Sequence, residues 1–374
     1  ADSGGAVMKW ELEKEIKLPT AALGLSTLPH SESLLVSCFD GSILRVDPRE
    51  STWETLGHHQ SYASGVVSVL DGSMAVSAGY DGVLQWHHLG SGKTVAVEKI
   101  HDFWSWQLKA SPNGRLVASV TGQYLCGGER YEPAQEKEPS IKVFDAETQS
   151  MIAQFSHLPP VLSVAFSPDS RFLAAANMMG DVRVWDLKEQ RLECSWNTPD
   201  FTSWGIIKSH HYIGGIFDVC FSPGGEHLLV CGMGPMRDPM AGNGKQTWQR
   251  FDWRGETPEK VGEIKDGDRG RGLMETLSWH PDGKVFAMAG RMAQGSWNVA
   301  LFDAQEGSLI QGMDNKTRIT RSAFSPEGTQ LFLTGSKSQG EPKEGKWSEF
   351  GRLMIYQPVP SDEKTPPSEA SEGS

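Results

Sequence analysis

Apolar and polar positions alternate along this chain in runs of about six residues, broken by short turn-forming clusters. In the clearest stretch, Val161-Leu-Ser-Val-Ala-Phe166 leads into Ser-Pro-Asp-Ser170. Arg171-Phe-Leu-Ala-Ala-Ala176, Asp181-Val-Arg-Val-Trp-Asp186 and a fourth run at Arg191–Trp196 follow. A period of two between turns predicts strands, so the unit reads as a four-stranded antiparallel meander. Its Ser-Pro turn position returns at Pro112, Pro223, Pro281 and Pro326, with degenerate versions at Pro29 and Asp71-Gly72. Proline suits the first corner because its ring fixes φ there. The units are Ala21–Leu56, Gly65–Glu98, Trp104–Phe155, Val161–Trp196, Ile216–Ile264, Glu275–Met313 and Ile319–Tyr356. The last holds three strands. A spare, strictly alternating strand lies at the other end, Lys9–Leu18. Pairing it into the last unit would close a ring and remove exposed sheet edges.

These residues resemble the WD-repeat (WD40) β-propeller family over nearly the whole chain. The Trp-Asp signature stands as Trp185-Asp186, with variants at Phe144-Asp145, Val46-Asp47, Phe251-Asp252 and Phe302-Asp303. The family's loop histidine corresponds to His101, His157 and His59, with His211 one residue off. The resemblance implies that this histidine bonds a turn Asp, a Ser or Thr, and the Trp. His59, Ser77, Asp81 and Trp86 come closest, Trp86 one position early, whereas unit four carries Ala175 and Met179 where Ser and Asp are expected. The implied fold is all-β: a seven-bladed propeller of four-stranded antiparallel blades, closed by the N-terminal strand. It would be one domain over residues 1–357, followed by a disordered acidic tail at 358–374, which is rich in Pro, Ser and Glu and poor in apolar mass. The insertions also make the chain look like stand-alone bacterial WD-repeat proteins, whose genes often neighbour those of cytochrome-c-domain proteins.

The repeat spacing exposes those insertions: Thr121–Pro139, Asn197–Gly215, Gly232–Lys245, Lys265–Met274 and Gly335–Phe350. Each is either a second-to-third-strand turn or a link between blades, and in a four-stranded meander both reach the same rim. One-sided insertion in a repeat ring marks that rim as the interaction surface. The expected partner-binding residues are Phe201, Trp204, Ile207, His210, His211 and Tyr212 in one link. Met233, Met236 and Met240 in a neighbouring turn join them, because Met and aromatics suit adaptable partner contacts. Phe201 and Trp204 could instead plug the channel mouth.

Composition narrows the function. The chain has 374 residues, 41 of them Gly, and a net charge of -12, which argues against a helical bundle and against nucleic-acid binding. No apolar run is long enough to span a membrane. Five Cys are too few for a disulfide scaffold. The start at Ala1 is compatible with a cleaved export signal, so an exported location is slightly favoured. Met178, Met179 and Met292 join the other three rim methionines, with His210, His211 and Cys126 nearby, but no tight ligand run appears, so no metal is assigned. Asp266-Gly-Asp268 opens like a calcium loop but has Leu277 where the closing Glu belongs. Gly92-Lys93-Thr94 ends like a phosphate loop but lacks the first Gly. The expectation is a non-enzymatic scaffold for a protein or peptide, without cofactor. The alternative is an enzyme or metal site at the channel mouth, using His210, His211 and nearby acids such as Glu129, Glu132, Asp238, Asp266 and Asp268.

Overall fold

The computed structural model describes residues 8–124, 135–204, 212–236, 243–264, 270–338, 344 and 349–361. They form seven antiparallel sheets, one per sequence unit. Blade four shows the pattern: Val161–Phe166, Phe172–Asn177, Asp181–Asp186 and Arg191–Asn197 pair in order. The first strand is buried at every position and the fourth is mostly exposed. The first strands pack one against the next around a closed circuit, from Ala22–Thr27 in blade one to Arg318–Phe324 in blade seven and back to blade one. A strand sandwiched between neighbouring blades needs small or apolar residues on both faces, as Val161-Leu-Ser-Val-Ala-Phe166 provides.

Hydrophobic burial follows the same geometry. Seven apolar clusters occupy the seven interfaces between adjacent blades. Trp86 of blade two, for example, packs with Leu108 and Phe144 of blade three.

The repeated Ser-Pro turn has a hydrogen-bonding cause as well as a dihedral one. Ser167 Oγ accepts the Phe172 amide at 2.8 Å and donates to Asp169 at 2.5 Å. Ser111 and Ser222 accept the Leu116 and His227 amides in the same way. The serine thus satisfies the first amide of the returning strand.

Ring closure is as the sequence predicts, with a longer strand. Met8–Leu18 pairs antiparallel with Gly351–Pro360, giving blade seven its fourth strand. Residues 358–360 therefore belong to the sheet and not to a disordered tail; residues 362–374 lie outside the described residues. Two sheets gain a fifth strand. Thr202–Trp204 folds back on Tyr212–Gly214 in blade five, and Gly244–Lys245, from blade five's insertion, pairs with Arg271–Gly272 of blade six. The segments read as insertions at Asn197–Gly215 and Lys265–Met274 hence end inside long first strands, Tyr212–Phe221 and Arg271–Trp279.

A buried polar hub ties blades that are not neighbours. Asp218 of blade five is fully buried and accepts the Leu277 amide of blade six at 2.7 Å. Gln107 of blade three reaches it at 3.3 Å, and Lys109 Nζ lies 3.5 Å away. Removing one member of such a hub leaves the others unpaired in the interior. Asp218→Ala is expected to lower stability by about 3 kcal/mol. Equilibrium denaturation checks this, and a change under about 0.5 kcal/mol, typical of a surface position, would refute it.

Candidate functional site: the loop-rich rim

The meander topology brings every second-to-third turn and every inter-blade link to one rim, and all the long insertions leave the ring there. Six aromatic residues from blades one to three stand on that rim. Phe39 and Tyr80 occupy second-to-third turns, just ahead of Asp40-Gly41 and Asp81-Gly82; Tyr62, Phe103, Trp104 and Trp106 come from the links. Phe39 stacks on Tyr62 with centroids 3.8 Å apart. Tyr62 meets Tyr80 at 5.3 Å, and Tyr80 lies parallel to Trp104 at 4.3 Å. Phe103 continues the stack at 4.9 Å, and Trp106 closes on it edge-on.

The backbone fastens this ladder. Tyr80 donates its amide to the Tyr62 carbonyl at 2.8 Å, Thr121 Oγ1 donates to the Trp104 carbonyl at 2.7 Å, and the Trp106 indole donates to the Gly122 carbonyl at 2.8 Å. Gly82 permits the turn beside Tyr80: its φ is +70°, and a Cβ there would lie 2.3 Å from the His101 carbonyl. Phe39, Tyr62 and Trp104 nonetheless stay 41%, 38% and 37% exposed, so the ladder is rigid and accessible at once.

The ladder borders the mouth of the central channel. A cavity of about 240 Å³ opens there, and every blade lines it. Tyr80 and Trp106 stand on one side; Glu275, Arg318 and Arg321 stand on the other. Arg318 forms a two-pronged ion pair with Glu275 at 2.8 and 2.9 Å, and Arg321 donates to the Glu275 carbonyl.

The expected binding residues fare differently. Phe201 is fully buried in the apolar cluster between blades four and five, so it seals an interface and cannot anchor a partner. Met233 ends a strand and is 8% exposed, which removes it for the same reason. Met236 is half-buried. Trp204 and Tyr212 pair through their backbones; their side chains, with Ile207, His210, His211 and Met240, lie outside the described residues. So do Cys126 and the acids Glu129, Glu132, Asp238, Asp266 and Asp268. The ladder was missed by the sequence reading, although an aromatic directly before Asp-Gly in two consecutive units is its trace.

Blade two contains Asp81, His59 and Ser77 in hydrogen-bonded series, the order of a nucleophilic triad. His59 Nδ1 lies 3.0 Å from Asp81, and Nε2 lies 2.8 Å from Ser77 Oγ. The series continues to His87, 2.9 Å from Ser77, and to Thr94. His87 thus takes the place expected for Trp86, which is buried in the neighbouring core instead. Burial, not geometry, sets the role of this series. Burial pushes the His87 pKa down to about 4 and keeps that ring neutral. Ser77 is fully buried, so no substrate reaches its hydroxyl. The relay is a structural strut.

The other loop histidines are struts of a different build. His101 Nε2 lies 2.7 Å from Ser119, while in blade four, with Ala175 in place of Ser, His157 donates to the Ala175 carbonyl at 3.3 Å. Burial lowers the pKa of both to about 3. Burial also raises the thiols of Cys38 and Cys194 to about 12 and 11, so neither is a ready nucleophile. Among the described residues no group of three His, Cys, Asp or Glu converges as a metal site, and no helix is long and apolar enough to cross a membrane.

A closed ring of seven meanders defines the chain as a repeat propeller. Comparison with known proteins carries this one step further. A model of the WD domain, G-beta repeat, matches residues 149–186. The chain is similar to WD repeat-containing protein SL1-17 of Schistosoma mansoni, 24% identical over 195 residues, covering 44% of this chain and 64% of that protein. It is also similar to Pre-mRNA-processing factor 19 homolog 2 of Arabidopsis thaliana, 27% identical over 43% of this chain and 28% of that one. Small ribosomal subunit protein RACK1 of Schizosaccharomyces pombe is 30% identical over 34% of this chain and 39% of its own length. The chain spans less than two thirds of each relative. The repeat match and the WD-repeat relatives support a WD-repeat β-propeller. These relatives are eukaryotic and lend no support to the bacterial likeness.

Proposed function

We propose that this chain is a non-enzymatic protein-interaction scaffold that docks a protein or peptide segment on its loop-rich rim. The observation that carries this reading is the aromatic ladder: six rings in mutual contact, three of them exposed, held by backbone hydrogen bonds on the face where the insertions emerge. Stacked rings have already given up their rotamer freedom on folding, so a partner meeting them loses less entropy than one meeting mobile side chains. Relatives that share the propeller, such as RACK1, fit a scaffold role. Trp204, Tyr212, Ile207, His210, His211, Met236 and Met240 would extend the surface from blades four and five. Nucleic acid is disfavoured as the main partner by the net charge of -12.

The test compares partners bound by three purified forms. Replacing Tyr62 and Trp104 together by Ala should weaken partner binding about thirtyfold or more, as for central aromatic anchors. Arg49→Ala, at an exposed turn on the opposite rim, should leave binding unchanged. Equal binding by the wild type and the double variant, with matching melting curves, would overturn the reading.

A further inference from the structure

The rim carries a charge pattern that the chain as a whole does not. Against a net charge of -12, a cavity of about 580 Å³ between blades six and seven is lined by Arg291, Lys316, Arg318 and Lys337, with Asp314 the one carboxylate among its lining residues. Among the described residues, three acids touch Lys316, Arg318 and Lys337: Asp314 bonds Lys316, Glu275 holds Arg318, and Glu15 lies 3.2 Å from Lys337. Glu15 is also shared with Arg352, 2.7 Å away, and Arg321 adds a further cation beside Glu275. Even leaving Arg291 aside, positive charge is therefore in excess among the described residues in and around the cavity. The Lys316 side chain is 79% exposed and Lys337 is 38% exposed, so both ammonium groups can swing to an incoming anion.

This cavity is continuous with the ladder. Arg318 lines both it and the channel mouth, and Tyr80 lines the mouth from the ladder side. Aromatic surface on blades one to three thus runs across the mouth into a cationic pocket on blades six and seven.

Building on the scaffold reading above, we propose that the partner is an extended acidic peptide. Its carboxylates enter the pocket between blades six and seven, and its apolar residues pack on the Phe39–Tyr62–Tyr80–Trp104 ladder. The pocket's build selects carboxylates over phosphate. Recognition of one dense dianion is best served by converging guanidinium forks. Here the fork of Arg318 is already engaged by Glu275 and Arg291 is half-buried with an interaction of its own, so the most exposed charges are separated lysine ammonium groups, which suit several single charges spread along a chain.

A random twelve-residue peptide library displayed on phage, panned against the full chain, tests this directly. Selected peptides should be enriched in Asp and Glu beside apolar or aromatic residues. Synthetic copies should bind about tenfold more weakly to Lys316→Glu, and again more weakly as salt rises through the physiological range. Lys316 is surface-exposed, so its replacement should leave the melting temperature in place, and Lys337→Gln provides a second variant. Selection of neutral or basic sequences, absence of any acidic consensus, or unchanged affinity for both lysine variants would overturn the acidic-partner proposal. A phosphoserine analogue binding tenfold tighter than its Glu counterpart would overturn the choice of carboxylate. Peptides that also ignore the Tyr62/Trp104 double replacement would defeat the rim reading itself. Sensitivity to that double replacement alone would spare the rim and remove only the charge assignment.

Discussion

A chain lacking residues 1–18 is expected to lose its cooperative melting transition. The removed strand contributes Ile16 and Leu18, which are 2% and 0% exposed, and Trp10, at 8%. Trp10 packs edge-on against Phe324, and its backbone exchanges two hydrogen bonds with the Gln311 amide of blade six, so one residue joins two blades. Glu15 is the carboxylate partner of Arg352 and Lys337. Exposing three large apolar side chains alone removes on the order of 5–8 kcal/mol, close to the whole margin of an ordinary domain. The deletion also leaves the edge of Gly351–Pro360 unpaired, which favours association. Calorimetry of the truncated chain checks this. A synthetic peptide covering Met8–Leu18 should restore the transition by adding the strand back. Ile16→Ala is the milder version and should lower stability by about 2–4 kcal/mol. A truncated protein melting within a few degrees of the full chain would show that the ring does not depend on this closure.

The closure strand was legible because its alternation is strict and the last unit lacks a partner; both are local features of sequence. The seven turns were legible for a related reason. Ser-Pro recurs because serine satisfies an amide and proline fixes a corner, and each function needs that residue type at that position. The ladder is of another kind. Its rings come from two classes of connection in three units, and only the curvature of the ring stacks them, so no single window of sequence contains it.

The reading of Phe201 shows the complementary failure. A phenylalanine in a non-repeating link has the same pattern whether it faces a partner or fills a gap between blades. The short turn at Pro199–Phe201 directs it inward against Val182, Ile216 and Phe251. The basic pocket was hidden by summation. Its cations are dispersed over two blades of a chain whose net charge is negative, and antiparallel pairing gathers them at one end.

Acid should unfold this propeller well above the range in which ordinary carboxylates protonate. His87, His101 and His157 sit in the structure with pKa values lowered to about 4, 3 and 3, in each case chiefly because burial disfavours the charged ring. Nearby positive charge adds to this: Lys142 and Lys99 for His101, and Arg183 for His157. In the unfolded chain the same rings titrate near 6.5. Between those values the unfolded state binds protons that the folded state refuses, so stability falls as pH falls. The contribution is intact above about pH 7 and is lost progressively from about pH 6.5 down to the folded values. By pH 5 each histidine accounts for about 2 kcal/mol, and three together for roughly 6 kcal/mol. The carboxylates act in a lower window. Burial alone would raise Asp81, but His59 and the Gln60 and Val83 amides outweigh it and hold its pKa below the usual value, so its contribution is lost only as pH falls below about 4. Thermal melts from pH 8 to pH 4 should therefore show the steepest loss between about pH 6.5 and 4.5. His157→Gln, even if it lowers stability at pH 8, should make that slope shallower by about a third, because one of three proton-refusing rings is gone. A flat profile from pH 7 to 5, or an unchanged slope in the variant, would show that these rings do not control the acid limb.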